Sequence, residues 1–145
     1  MLKLAIIGGT LIAITVVIHA IGTTAWGRYL LHRHDLLQGF RGTRQALYGI
    51  TSTVVVMISL HTVQIAIWAF AYRRLLPDGE LPSFEAALYF SFVTFTTLGY
   101  GDITLSEGWR LLSGIQALNG ILLVGWTTAY LFAVVQRTWE GMSRS

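Results

Sequence analysis

The chain has no cysteine among its 145 residues. Disulfides, thiolate metal sites and cysteine nucleophiles are therefore excluded, while the redox compartment stays undetermined. Charge is scarce too: Asp, Glu, Lys and Arg make up 12% of the chain against 54% hydrophobic residues, with a mean hydropathy of +0.61. So apolar a composition places a chain of this size in a membrane rather than in water. The formal net charge of +3 is too small and too dispersed for a nucleic-acid partner. No segment repeats internally, and neither of the first two apolar stretches carries arginines at every third position, the pattern of a voltage-sensing helix. His19, His61 and the scattered acids show neither metal-ligand spacing nor a nucleophile beside its base, which argues against a membrane enzyme.

What the chain does have is apolar runs of membrane-crossing length. Residues 4–26, 47–72 and 109–136 each reach or exceed the roughly 20 residues needed to cross a bilayer as a helix. Residues 27–46 are a basic interruption with Arg28, Arg33, Arg41 and Arg44 against Asp35, expected as a cytoplasmic loop. Its middle, residues 29–40, mixes leucines with basic residues and suits a short helix on the membrane surface. His61 and Gln64 share a face near the middle of the second span, where they are expected to bond across a helix interface, with His19 a candidate partner; a proton-sensing role for His61 stays open. Pro77, Asp78, Gly79 and Glu80 mark an exposed turn. Ser83 then caps a helix expected over residues 83–96, with Glu85 in its first turn. About 12 residues of helix extend only about 18 Å, too short to cross, so this helix must re-enter.

Between that helix and the third span lie Thr96, Thr97, Leu98, Gly99, Tyr100, Gly101 and Asp102. Rings of backbone carbonyls can replace the hydration shell of an ion inside a membrane. Aiming successive carbonyls at one axis requires left-handed dihedrals at alternate residues, which Gly99 and Gly101 adopt at low steric cost. A dinucleotide loop is a poor alternative, because the third glycine and the preceding strand are missing.

The run from Thr97 to Asp102 resembles the signature of the tetrameric potassium-channel pore family, with Leu98 where that family usually has Val or Ile. The resemblance covers residues 47–135 and implies an all-α membrane protein: an outer helix over 47–72, a pore helix, a filter over 97–101 and an inner helix over 109–136. To these the chain adds one helix over residues 1–26 and a short tail over 137–145. It further implies that the carbonyls of Thr97, Leu98, Gly99 and Tyr100, with the Thr97 hydroxyl, bind K+ as the permeant ion, with Gly101 completing the filter. Thr96, Tyr89, Phe90 and Asp102 become its support. Two tryptophans often stand where this chain has Tyr89 and Phe90; Tyr89 can donate to Asp102, whereas Phe90 cannot donate to Tyr100. Some relatives have an acid at the position of Val93. The family's hinge glycine falls closest to Gly120, with Gly125 a further candidate, although both also suit close helix packing. Gln116, Asn119, Thr127 and Thr128 are the polar residues of the inner helix, and which of them face the pore is open at this stage.

One chain supplies one filter strand, so the resemblance implies a homotetramer in membrane lipid, with no cofactor beyond the permeant ion. Lys3 before an apolar run is compatible with a signal peptide. Removing that segment would, however, turn the filter toward the cytoplasm, whereas in the family it opens outward. The expectation is therefore a multi-pass protein of the plasma membrane with its N-terminus outside and its C-terminus cytoplasmic. Arg28, Arg33, Arg41, Arg44, Arg137 and Arg144 then lie inside, and Lys3, Arg73, Arg74 and Arg110 outside, a modest inward excess. A non-selective cation channel and a non-conducting membrane adaptor with the same fold are the alternatives.

Overall fold

The computed structural model describes residues 1–34 and 43–143, and among them four helices and no strand: α1 (Leu2–His34), α2 (Thr43–Leu75), α3 (Phe84–Phe95) and α4 (Arg110–Ser143). Helices α1, α2 and α4 are long and apolar enough to cross a membrane. Helix α3, with 12 residues, is not.

Three helices run past the ends expected from polarity. Helix α1 does not stop near residue 26 but continues to His34, because tertiary contacts hold its last turns. Trp26 donates its indole N–H to Thr53 Oγ1 at 2.9 Å, and Leu30 is buried. The basic interruption is correspondingly shorter: residues 27–34 complete α1 and residues 43–46 open α2. The surface helix expected over 29–40 therefore begins inside α1, and its remainder lies outside the described residues. Helix α2 carries Arg73 and Arg74 in its last turn, and α4 continues beyond residue 136.

Helix α3 is wedged between α2 and α4. Ser83 caps it, its hydroxyl accepting from the Ala86 N–H at 3.0 Å, and Glu85 complements the dipole. Trp68, Ala69 and Tyr72 of α2, Ala87 and Phe90 of α3 and Leu112 of α4 form one buried cluster. A buried polar chain reinforces it. The Tyr72 hydroxyl donates to Gln116 Oε1 at 2.7 Å, Gln116 Nε2 donates to Ser91 Oγ at 2.6 Å, and Ser91 donates to the Ile65 carbonyl at 2.8 Å. Inside a bilayer such groups have no water to fall back on, so each bond opposes withdrawal of α3. Helix α1 lies on the other side of α2 and α4.

Much of the remaining surface is apolar, with Ile6, Ile21, Val55, Ile58, Ile121 and Phe132 all exposed. A patch of that extent needs lipid or further protein to cover it.

Candidate functional site

The segment singled out in the sequence begins where α3 ends. The Thr96 N–H donates to the Phe92 carbonyl at 3.0 Å, and the Thr96 hydroxyl donates to the same carbonyl at 2.8 Å. The Val93 carbonyl accepts from both Leu98 N–H at 3.0 Å and Gly99 N–H at 3.3 Å, folding the next residues against the helix C-terminus. Beyond that point φ alternates in sign. Thr97, Gly99 and Gly101 stand at +59°, +57° and +79°, whereas Leu98 and Tyr100 between them are not positive. Such alternation brings successive carbonyls, which in an extended strand point to opposite sides, round to a common side. Around Gly99 and Gly101 there is open space for a methyl group, so their requirement is conformational rather than steric. Thr97 has no such freedom: a β-branched residue held left-handed is strained by about 1 to 2 kcal/mol. Sequence reasoning assigned left-handed geometry to the two glycines and missed Thr97, which carries no compositional sign of it.

Leu98 and Tyr100 are exposed, at 55% and 68%. Behind the segment lies a groove of about 490 Å³ between α3 and α4, lined among others by Val93, Thr97, Gly99, Gly101 and Gly114. Below it, a second space of about 310 Å³ is bounded by Phe95, Thr96 and Thr97 on one side and by Val124, Gly125 and Thr128 of α4 on the other. Thr128 thus faces this space, while Gln116, Asn119 and Thr127 point into the helix bundle and are buried there.

The support residues divide. The Tyr89 hydroxyl donates to Asp102 Oδ2 at 2.6 Å, and this bond holds the Asp102 carboxyl below its ordinary range. Phe90 keeps an edge on the groove but belongs mainly to the core, edge-on to Tyr72 at 5.2 Å. Gly120 is pressed against α3: a Cβ there would stand 1.9 Å from the Phe95 carbonyl oxygen. Gly125 has nothing within 4 Å.

Near Asp102, Arg73 and Arg110 brace the loops through backbone carbonyls, while Arg74 packs on its own helix. Arg73 donates to the Leu81 carbonyl at 2.7 Å, Arg110 Nε donates to the Leu105 carbonyl at 3.2 Å, and the Arg74 guanidinium lies 4.8 Å from the Phe70 ring centroid. Ser106 bonds Glu80, its backbone N–H 3.1 Å from Oε2, and holds that carboxyl below its ordinary range. No group of three or more His, Asp or Glu suited to a metal ion occurs among the described residues.

Residues 46–137 match the family model described as "Ion channel". The chain belongs to this ion channel family. Comparisons with curated proteins and with solved structures gave no match. In this channel the matched region takes in most of α2, all of α3, the segment from Thr96 to Asp102 and most of α4, and it leaves α1 outside.

Proposed function

We propose that this ion channel is selective for potassium and that four copies surround one pore. Potassium ions pass through sites made by the carbonyls of Thr97, Leu98, Gly99 and Tyr100 and the Thr97 hydroxyl. The observation that carries this reading is the left-handed backbone at Gly99 and Gly101, which continues beyond the left-handed Thr97 that closes α3. There the Thr97 N–H donates to the Thr94 carbonyl and the Leu98 N–H to the Val93 carbonyl. The cap accounts for Thr97, but not for the two further left-handed residues at every second position. The C-terminal end of α3 supports it: four such ends, each negative by the helix dipole, would favour a cation in the space beneath the filter. Further support comes from Leu98, Tyr100 and the groove behind the filter, which a single chain leaves uncovered and neighbouring copies would fill. The orientation that goes with this reading has the filter opening outward, the N-terminus outside and the C-terminus cytoplasmic.

The test is reconstitution into liposomes loaded with potassium, with stoichiometry measured on the same preparation. Potassium efflux and a particle of four times the 16.1 kDa chain mass are expected. Assembled protein without any flux would support the adaptor instead, and a monomer would remove the pore.

A further inference from the structure

Midway along the bundle, four polar side chains from three helices close a ring of hydrogen bonds. His61 on α2 places Nδ1 3.1 Å from Gln64 Oε1 and Nε2 2.9 Å from Thr127 Oγ1 on α4. Gln64 Nε2 lies 3.1 Å from Nδ1 of His19 on α1, and His19 Nε2 closes the ring 3.4 Å from the Thr127 hydroxyl. The two imidazoles stack with centroids 5.3 Å apart.

The proton positions follow from one further contact. Gln64 Nε2 is also 3.3 Å from the Thr15 carbonyl, which fixes the amide's orientation, since the amide oxygen in that place would face another oxygen. Gln64 therefore donates to His19 Nδ1, so His19 carries its proton on Nε2 and donates to Thr127. Gln64 Oε1 accepts from His61 Nδ1, which leaves His61 Nε2 to accept from the Thr127 hydroxyl. Around the ring each group donates once and accepts once, in one direction. Both histidines are neutral, and they are opposite tautomers.

An added proton breaks the one-directional ring. On His19 Nδ1 it would meet the Gln64 N–H; on His61 Nε2 it would make the Thr127 oxygen accept from both imidazoles and turn its own O–H out of the ring. Turning Gln64 over to receive it would set the amide oxygen against the Thr15 carbonyl. The groups around the pair are Thr15 and Thr23 of α1, Gln64 of α2, Phe95 of α3, and Asn119, Trp126 and Thr127 of α4. The titratable groups facing this site among the described residues are the two histidines and, one turn away, the Tyr130 hydroxyl that donates to the Thr23 carbonyl at 3.1 Å. Among the described residues no carboxylate is there to balance an imidazolium.

The ring sits where it can act on conduction. Thr127 is next to Thr128, which lines the space beneath the filter, and His61 lies 5.6 Å from Phe95, the last residue of α3. Helix α1 holds the opposite face of α4 through the ring, through Asn119 donating to Thr15 at 2.9 Å and through Tyr130.

We propose that His19, His61, Gln64 and Thr127 form a proton-binding site that couples α1 to α4. With the ring closed, α4 is drawn toward α1 and away from the space beneath the filter. Protonation opens the ring, α4 is released toward that space, and conduction falls. The consequence for conduction rests on the potassium-channel reading; the proton site itself does not.

The experiment combines histidine-selective 15N solid-state NMR with potassium flux on the full chain in lipid bilayers, between about pH 3 and pH 8. His19→Gln and His61→Gln assign the signals and separate them from those of His32 and His34. Opposite tautomers at neutral pH are expected, with one imidazole becoming doubly protonated in the same interval in which flux falls several-fold. Flux through His61→Gln, normalised to its own neutral value, is expected to lose that dependence. Identical tautomers, histidines that stay neutral throughout, or flux that is constant while an imidazole charges would each overturn the proposal. Opposite tautomers that convert in acid without flux at any pH would instead leave the proton site standing and remove the potassium-channel reading.

Discussion

Gly120 on α4 packs directly against the carbonyl of Phe95 in the last turn of α3, so that a methyl group on Gly120 would lie 1.9 Å from that oxygen. This contact sets how closely α4 approaches α3, and hence where Thr96 and Thr97 begin. A side-chain tip could swing aside, but a backbone carbonyl at a helix end cannot.

Gly120→Ala is accordingly expected to destabilise the channel by about 1 to 3 kcal/mol or more, the range for overpacking a close contact. Thermal unfolding in detergent would show it. Gly125→Ala, with nothing within 4 Å of the added methyl, is expected to leave the unfolding midpoint unchanged. Equal loss in both variants would mean that the Phe95 contact is not what Gly120 serves.

Gly99→Ala should have the opposite profile. There is room for the methyl group, but a left-handed alanine is disfavoured by about 1 to 2 kcal/mol in each subunit, so the filter carbonyl is expected to turn away. Conduction is expected to disappear while assembly persists, as read by flux and particle mass together. Undiminished current would undermine the placement of the ion path at this segment.

Tyr89→Phe removes the donor that holds the Asp102 carboxyl below its ordinary value of 3.8. A depressed carboxylate stabilises the folded state above its unfolded value, and that stabilisation is lost as pH falls through the lower, folded one. In Tyr89→Phe the Asp102 carboxyl is expected to titrate nearer its ordinary value, and the acid-side loss of stability is expected to move up in pH with it. A 13C titration of Asp102 unmoved by the substitution would show that the bond is not formed in the membrane.

Tyr72→Phe deletes a single oxygen and leaves Gln116 Oε1 buried without its donor. A loss of about 1 to 3 kcal/mol in thermal stability is expected, the usual penalty for an unsatisfied buried acceptor. An unchanged midpoint would show that Gln116 finds another partner.

The features legible in the sequence were those encoded locally. Ser83 and Glu85 announced the start of α3, the 12-residue length of α3 ruled out a crossing, and the spacing of Gly99 and Gly101 announced left-handed backbone. Features that depend on distant partners were not legible. Gly27 and Arg28 looked like the end of the first helix, yet Thr53 and the packing of Leu30 carry α1 eight residues past Trp26. Gly120 suits a hinge or close helix packing equally well in the sequence, and only the fold shows that the Phe95 carbonyl is what packs against it. His61 and Gln64 stood out as polar residues within an apolar run, but a hydroxyl 66 residues further on completes their ring, and only the packing of α4 brings Thr127 there. Thr97 gave no sign at all, because a β-branched residue is a poor candidate for positive φ until its surroundings impose it.

Potassium selectivity is tested most directly by the reversal potential of the reconstituted channel with potassium on one side of the bilayer and sodium on the other. A reversal potential displaced far toward the potassium equilibrium value is expected, since a ring of backbone carbonyls replaces the hydration shell of potassium better than that of sodium. A reversal potential near zero, with both cations carrying current equally, would contradict it.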